Sequence, residues 1–328
     1  MNIKTIIRLT SPIIFSLLLL LGGCAPQSAL RKPTGKVKLM LNLVQGGSYN
    51  LRMTAEQKVT QNLLGMLQAT EQTLGIGYGF DIEEVEPSGI ARVKVTYQGV
   101  SFKQDTDMLG TFEYDSADPP DDIPPAAAGY AAQVGQSFHI WIARNGAVSK
   151  VEGADEIVDR MLASIDLPEG LMKEALVSKM RDQFGNEGVL ELMNNTFYIY
   201  PERAVAVRDT WNSQSVDIRS FAVALDNTYT LTDRSDGIAT VEVRSTAKNL
   251  PGAKPPDMGM MQMKYELSGE QSGKIMLDEQ TGWAVSAEIN QKFEGELTME
   301  GGMAMRGEED LSIPITIETT IRLESLKK

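Results

Sequence analysis

Alternation of apolar and polar positions dominates this chain from residue 37 onward. Val37, Leu39, Leu41 and Leu43 fall on one face of an extended segment, a period of two that predicts a strand over 37–43. Gly46-Gly47 supplies a turn, after which Tyr49, Leu51, Met53 and Ala55 alternate with Asn50, Arg52, Thr54 and Glu56 as the antiparallel partner. Residues 55–74 read two ways. Ala55, Val59, Leu63, Met66 and Leu74 approximate a helical stripe, while Gly65 fits the turn of a long hairpin. The Thr/Gln-rich flanks alternate as well, so the hairpin is expected. Strands follow at 89–97, 136–143 and 147–151, the last two joined by Asn145-Gly146, a type I′ turn signal. An acidic, proline-rich loop at 115–125 interrupts them.

The period then changes. Asp155 opens a helical pattern with Ile157, Met161, Leu162 and Ile165 on one side. Pro168 starts a second helix carrying Leu171, Met172, Leu176 and Met180, with Gly185 at its C-terminal cap. A third short helix near 187–194 leads into an apolar strand, Thr196–Tyr200. Strands are expected again at 211–218, 227–232, 238–245, 263–277, 283–300 and 313–323, with a hairpin turn at 278–282. Gly89-Ile-Ala-Arg-Val-Lys-Val95 and Gly237-Ile-Ala-Thr-Val-Glu-Val243 share five of seven residues at an offset of 148. The echo is either a duplicated β-unit or a generic strand opening. The fold class implied is α+β, β-dominated: curved antiparallel sheets with a helical insert near 154–194, in which two related β-halves are one reading.

The first residues follow another logic. Lys4 and Arg8 precede an apolar stretch from Leu9 to Leu21 that is short and interrupted for a membrane span. It closes on Leu21-Gly22-Gly23-Cys24, and Cys24 is the single cysteine of the 328 residues. This ending resembles the lipobox of bacterial lipoproteins. That resemblance implies cleavage before Cys24, a diacylglycerol on its thiol, and membrane attachment through fatty acyl chains such as palmitate. A secreted protein with an incidental cysteine and an uncleaved anchor are the alternatives. Ala25, where the sorting pattern of the inner membrane has Asp, implies the outer membrane with the body facing the periplasm. The division expected is a signal peptide over 1–23, a lipidated tether over 24–36 and a periplasmic β-rich domain over 37–328. About a dozen tether residues would hold that domain up to about 40 Å from the bilayer.

Charge and thiol supply narrow the function. The signal carries two bases and no acid, so its loss takes the net charge from −13 to −15. A body that acidic argues against nucleic acid and against electrostatic docking on anionic lipid. With Cys24 acylated no thiol is left for a disulfide, a metal site or a nucleophile. The exported chain also resembles the uncharacterised bacterial domain-of-unknown-function family DUF6263, over nearly all of Lys36 to Glu324. The residues that carry this are Val37-Lys-Leu-Met-Leu-Asn-Leu43 with Gly46 and Tyr49, Gly135-Gln-Ser-Phe138, Asp209-Thr-Trp211, Tyr265-Glu-Leu-Ser-Gly269 and Leu277-Asp-Glu-Gln-Thr-Gly282. The family brings no activity and no site residues.

Little else carries chemistry. His139, the one histidine, has no sequence partner for a triad or a metal site and reads as a strand residue. Met258, Met260, Met261 and Met263 form one methionine cluster, and Met299, Met303 and Met305 another. Thioethers suit Cu(I), but flexible packing or an adaptable apolar contact surface is the plainer reading. Asp115, Asp118, Asp121 and Asp122 match no calcium loop. Trp141, Trp211 and Trp283 read as core anchors. No catalytic residue, metal site or cofactor is expected beyond the covalent lipid on Cys24. The function expected is a membrane-anchored, non-enzymatic envelope module with an apolar ligand or an envelope protein as partner. Its contact surface would be Leu63, Leu64, Met66 and Leu67 at the hairpin tip together with the first methionine cluster. A carboxylate-based hydrolase of envelope polysaccharide, with two carboxyls about 5–10 Å apart, is the alternative, and a structural or assembly lipoprotein is another.

Overall fold

A computed structural model describes residues 35–63, 65–106, 110–121, 123, 125–163, 171–217, 223–250, 257–258, 261–300 and 311–326. The first strands are β1 (Ser48–Leu63), β2 (Met66–Val85), β3 (Ala91–Thr106), β4 (Gly110–Asp115), β5 (Ser137–Ile142) and β6 (Val148–Glu152). The later ones are β7 (Thr210–Asp217), β8 (Val223–Ser235), β9 (Ile238–Asn249), β10 (Asp257–Met258), β11 (Met261–Asp278), β12 (Ala284–Glu300) and β13 (Leu311–Leu326). Helix α1 (Pro125–Gln133) precedes β5, while α2 (Ala154–Ala163), α3 (Leu171–Phe184) and α4 (Asn186–Phe197) separate β6 from β7. The β-dominated α+β class expected from the pattern is the fold observed. The Leu21–Cys24 motif and most of the tether lie outside the described residues.

All strands join one antiparallel sheet in the order β6-β5-β3-β2-β1-β13-β12-β11-β9-β8-β7, with β4 also on β3 and β10 on β11. Two meanders therefore meet at the β1–β13 pair, where Asn50 faces Leu326 and Gln61 faces Ile315. The sheet is not closed. At one end, the turn end, lie the β2–β3, β5–β6, β8–β9 and β11–β12 turns. At the other, the loop end, lie the β1–β2 tip and the connections after β3, β7, β9 and β12.

Residues 37–43 do not form the expected strand. Leu39 and Leu41 are buried as their alternation predicts, yet only Val37 makes a bridge, with Val205. Both edges of β1 are taken by β2 and β13, so no edge there is left for this segment. It crosses the turn end instead, Leu41 N–H donating to Arg144 O and Asn42 N–H to Thr281 O, each at 2.8 Å. The turns beneath it are shaped to admit it. At Gly282 (φ 73°) a Cβ would lie 2.0 Å from Met40 O, so the close approach requires glycine.

Three further differences follow from the same geometry. Thr196 and Phe197 end α4 and are not strand, because Phe197 turns in against Phe80 at a ring separation of 5.9 Å. Gly185, at φ −74°, makes no left-handed cap but is the N-cap of α4, its own N–H donating to Arg181 O. Strand β4 and helix α1 flank the acidic loop, in stretches to which the pattern assigns no element, and Tyr130 of α1 stacks on Phe102 at 5.2 Å. The 148-residue echo has structural counterparts: Gly89 (φ 87°) and Gly237 (φ 78°) open β3 and β9 in the same way. Each hairpin also carries a bulge at the matching place, beside Glu83 and beside Thr232.

Helix α4 reaches both terminal strands of the sheet order, β6 and β7. Asn194 accepts from Val148 N–H of β6 and donates to Val148 O, both at 3.0 Å, as a neighbouring strand would. Asn195 Nδ2 donates to Val216 O of β7 at 3.1 Å. The helix is set by reciprocal caps: Ala154 N–H donates to Asn186 Oδ1 and Asn186 N–H to Asp155 Oδ1. Asn194→Ala leaves both Val148 groups without partners and is expected to cost about 2 kcal/mol. Asn195→Ala should cost under about 1 kcal/mol. Denaturant unfolding of the two variants checks the ranking.

Burial also makes the fold sensitive to base. It pushes the phenol of Tyr78 well above its usual range, and that of Tyr200 likewise, while Tyr97 is raised to about 12. A phenol that stays neutral when folded but ionises near pH 10 when unfolded stabilises the fold fully below pH 10, and that share is lost as pH rises through the folded pKa. Unfolding free energy should therefore hold level from pH 7 to about pH 9 and fall between about pH 10 and pH 12. Tyr97→Phe should reduce that fall by up to about 3 kcal/mol.

Candidate functional site

The two faces of the sheet differ sharply. One carries charge: Lys58 pairs with Glu71 at 2.8 Å, and Arg322 bridges Glu56 and Glu288 at 2.8 and 3.1 Å. An open depression of about 750 Å³ lies on this face and gathers Glu56, Glu71, Asp105, Glu270 and Glu318 with Lys58, Lys103 and Lys292. His139 belongs to the same face, its Nε2 3.2 Å from a Glu83 oxygen that Arg92 also holds at 2.8 Å. Trp141 is here too, half-buried under the Lys150 ammonium at 4.6 Å, and is not the core anchor expected. Trp283 is a core anchor, 4% exposed and stacked on Tyr49. Trp211 is half-buried, stacks on Tyr229 and donates from Nε1 to Ile199 O at 2.9 Å.

The other face is apolar but divided. Toward the turn end a large cluster includes Leu39, Leu41, Phe80, Val95, Phe138, Met161, Leu231 and Leu277, closed by the helices and by residues 37–43. Toward the loop end a smaller one comprises Val223, Leu225, Ala247, Leu267, Phe293, Ile315 and Ile317, with Val59 against it. Between them runs a row of polar side chains, one per strand across nine strands. Gln104, Gln72, Gln57, Thr319, Gln291, Gln271, Ser245, Asn227 and Ser213 stand directly opposite one another in register.

The row is hydrogen-bonded along much of its length. Gln72 donates to Gln57 at 2.7 Å, Gln57 to Thr319 at 3.2 Å and Gln291 to Gln271 at 2.6 Å. Gln271 then donates to Ser245 at 3.3 Å, Ser245 to Asn227 at 2.6 Å, and Asn227 to Ser215 at 3.1 Å. Ser245 and Asn227 are only 5% and 4% exposed, so these bonds are obligatory. At the far end the row opens into a groove of about 520 Å³ between α4 and β7–β8, where Asn227, Ser213 and Ser215 meet Asn195 and Tyr198. Residue reading missed the row because its members lie far apart along the chain and only strand register aligns them.

Those residues expected to form a contact surface that the structure describes map to the loop end. Leu63 pairs with Met66 across the β1–β2 tip, where Gly65 takes φ 84°. Met66 is 61% exposed and Leu67 72%. Met258 pairs with Met261, and Met263 with Met299 of β12. Leu64, Met260, Met303 and Met305 lie outside the described residues. The tip and the first methionine group are thus at one end of the sheet, with β13 and β12 between them. Of the acidic loop, Asp115 ends β4 and accepts from Ala117 N–H, while Asp122 lies outside the described residues. Among the described residues no three His, Cys, Asp or Glu side chains converge as a metal site would require. No described helix is long and apolar enough to cross a membrane.

Arg234, its side chain 9% exposed, holds Glu279 through Nε and Nη2 at 2.7 Å each and donates from Nη1 to Gly35 O at 2.6 Å. The Glu279 hydrogen bonds hold its guanidinium pKa above the usual value. The polypeptide therefore enters the body at the turn end, beside the β8–β9 and β11–β12 turns.

These features define a single-sheet module with one charged face, one divided apolar face and a leucine- and methionine-bearing loop end. The chain belongs to the DUF6263 family, a family of unknown function whose model matches residues 88–284. No curated protein matches it. Among solved structures, lipovitellin, described for its lipid–protein interactions, is similar with a TM-score of 0.48 and 11% identity. That similarity covers 87% of this chain and 25% of lipovitellin, so the chain spans about a quarter of that protein. OpdQ of Pseudomonas aeruginosa is similar with a TM-score of 0.18 and 8% identity, over 85% of this chain and 98% of that one.

Removing one member of the polar row should unsettle its neighbours. Gln271→Leu strips the acceptor from Gln291 and the donor from Ser245, and is expected to cost about 1–3 kcal/mol in unfolding free energy. The paired change Gln271→Leu with Gln291→Leu should cost less than the sum of the two single changes, because each then removes the other's stranded partner. Chemical denaturation of the three variants measures this coupling.

Proposed function

We propose that this protein is a lipid-anchored, non-enzymatic module of the bacterial outer membrane, facing the periplasm, that binds an apolar ligand or partner at its loop end. One observation carries the reading. Topology gathers the Leu63–Leu67 tip and the Met258–Met263 turn at the same end of the sheet, above a second apolar cluster that the polar row separates from the main core. Met66 and Leu67 stand exposed side by side there, as an apolar contact surface would present them. Unbranched methionines adapt to surfaces of irregular shape, which suits a ligand or partner of variable form.

The anchor is read from Leu21-Gly22-Gly23-Cys24. An acyl chain on Cys24 supplies membrane affinity that a body of charge −15 cannot supply electrostatically. The hydrolase alternative has a place on the charged face, where Glu56, Glu71, Asp105, Glu270 and Glu318 share the open depression. It is the weaker reading, because Lys58 pairs with Glu71 and the depression is open to solvent. Such a site does little to exclude water from a glycosidic bond.

Two measurements test the proposal. Cys24→Ser should move the protein from the membrane fraction to the soluble one; persistence in the membrane fraction would remove the anchor from the reading. Native extraction followed by mass spectrometry should find an apolar molecule or an envelope protein with the wild type. The combined change Met66→Asp and Leu67→Asp should reduce that recovery about tenfold or more, since each side chain contributes roughly 1.5 kcal/mol of apolar burial. Equal recovery from the variant would sink the loop-end site.

A further inference from the structure

We propose that the groove between α4 and β7–β8 binds a neutral oligosaccharide. The inference is independent of the anchor and of the loop end, and it gives the far end of the polar row a role beyond register.

The groove is polar on both sides. Glu187, Leu190, Glu191, Asn194, Asn195 and Tyr198 line it, and their spacing of three and four residues makes one continuous stripe along α4. A helix stripe that faces a sheet is ordinarily apolar; in this one Leu190 is the aliphatic exception. Another stripe does the packing, with Val189, Met193 and Phe197 buried in the main core. Across the groove Ser213, Ser215 and Asn227 answer with hydroxyls and an amide, where packing would call for methyl groups. Its volume of about 520 Å³ is that of a small-molecule site.

The polar groups are also held in place. Asn227 accepts from Ser245 at 2.6 Å and donates through Nδ2 to Ser215 Oγ at 3.1 Å. With its oxygen accepting from Asn227, the Ser215 hydroxyl keeps its own proton to donate into the groove. Asn195 uses Nδ2 on Val216 O at 3.1 Å, which leaves Oδ1 as an acceptor with no partner among the described residues. A second depression of about 380 Å³ shares Tyr198 and Ser213 with the first and adds Trp211, Asn212 and Arg203. Tyr198 thus stands between two lobes, 41% exposed, with its backbone fixed as the C-cap of α4. In the second lobe Trp211 is held by its stack on Tyr229 at 5.6 Å and its bond to Ile199 O at 2.9 Å.

Hydrogen-bonding groups arranged around aromatic rings match a ligand with hydroxyls at its edges and C–H groups on its faces, which is a sugar. Lobes on either side of Tyr198 suit at least two linked rings. Neither lobe has a lysine among its described residues, and Glu187 and Glu191 line the first, so acidic sugars are repelled. An acyl chain would leave Ser215 and Asn195 without partners, which argues against a lipid here. A peptide adding a strand to β7 is the competing occupant. Asn195 already takes Val216 O, one of the backbone acceptors that such a strand would need.

The test applies the dye-labelled full chain, kept in a detergent that carries no sugar, to an array of neutral and uronate-containing oligosaccharides. Wild-type protein should retain neutral ones of two or more units and pass over the uronates, and calorimetry then gives the Kd of each. Tyr198→Ala should weaken binding about tenfold or more, while Tyr198→Phe, which keeps the ring, should stay within about threefold. Circular dichroism of both variants should match the wild type, because the side chain is exposed. Hydrogen exchange of the wild type should slow over 187–198 and 210–217 when sugar is bound. An array on which no neutral sugar binds, uronates held equally well, or protection confined to other parts of the chain would each overturn the proposal. So would binding that Tyr198→Ala leaves intact. Tyr198-dependent capture of peptides from a random library, in place of sugars, would overturn it and assign the groove to strand addition at β7.

Discussion

An antiparallel sheet that does not close must dispose of two edges, and the rest of this structure depends on how that is done. The edge strands β6 and β7 would otherwise offer rows of unpaired backbone groups to any neighbouring chain. Two consecutive asparagines of α4 meet them from one helix, Asn194 imitating a strand against Val148 and Asn195 capping the carbonyl of Val216. Consecutive positions on a helix diverge by about 100°, which is what lets one turn address two edges at once. The helical insert therefore links the two edge strands of a sheet whose meanders are already joined at β1–β13, and it puts the helices over the turn-end half of the apolar face.

The polar row acts within that frame. An apolar face nine strands wide could slip in register at small cost if every inward residue were interchangeable. A row of Gln, Thr, Ser and Asn that must all meet makes a two-residue slip costly, while a one-residue slip would turn the whole apolar face outward. The row also divides the interior. Below it the core is closed by α2, α4 and residues 37–43, with rings such as Phe80, Phe197 and Trp283 packed edge to face. Above it there is no comparable aromatic packing among the described residues; Phe293 is the one ring in the smaller cluster. The division separates a part built for stability from a part able to serve something else.

How much of this was legible in the chain depends on whether the signal is local. Period-two alternation exposed nearly every long strand, and Asn145-Gly146 and 278–282 marked their turns, because side-chain facing and turn chemistry are decided within a few residues. Alternation reports burial on one face, not a hydrogen-bonding neighbour, and so residues 37–43 looked like sheet when they are a crossing segment with a buried side. Strand β4 is six residues long and adjoins a proline-rich loop, which hid it. The Thr196–Tyr200 run is apolar because Phe197, Ile199 and Tyr200 enter the core, a demand that a helix end followed by irregular chain meets as well as a strand. The candidate contact surface was visible as composition, but that its two parts share one end is a fact of strand order. The polar row was invisible for the same reason.

Function in such a body follows the asymmetry between its ends. The turn end is occupied: tight turns, the crossing segment and the Arg234–Glu279 pair leave little there for a partner to displace. On the charged face opposite charges meet across neighbouring strands, Lys58 with Glu71 and Arg322 with Glu56, and along β12, Lys292 with Glu294, exposed pairs that contribute little to stability. At the loop end Met66 and Leu67 stand exposed beside each other, toward the same end as the smaller apolar cluster. Its connections are also the places where a sheet tolerates change without loss of fold. A scaffold that places its closing contacts at one end leaves the connections of the other freer to vary.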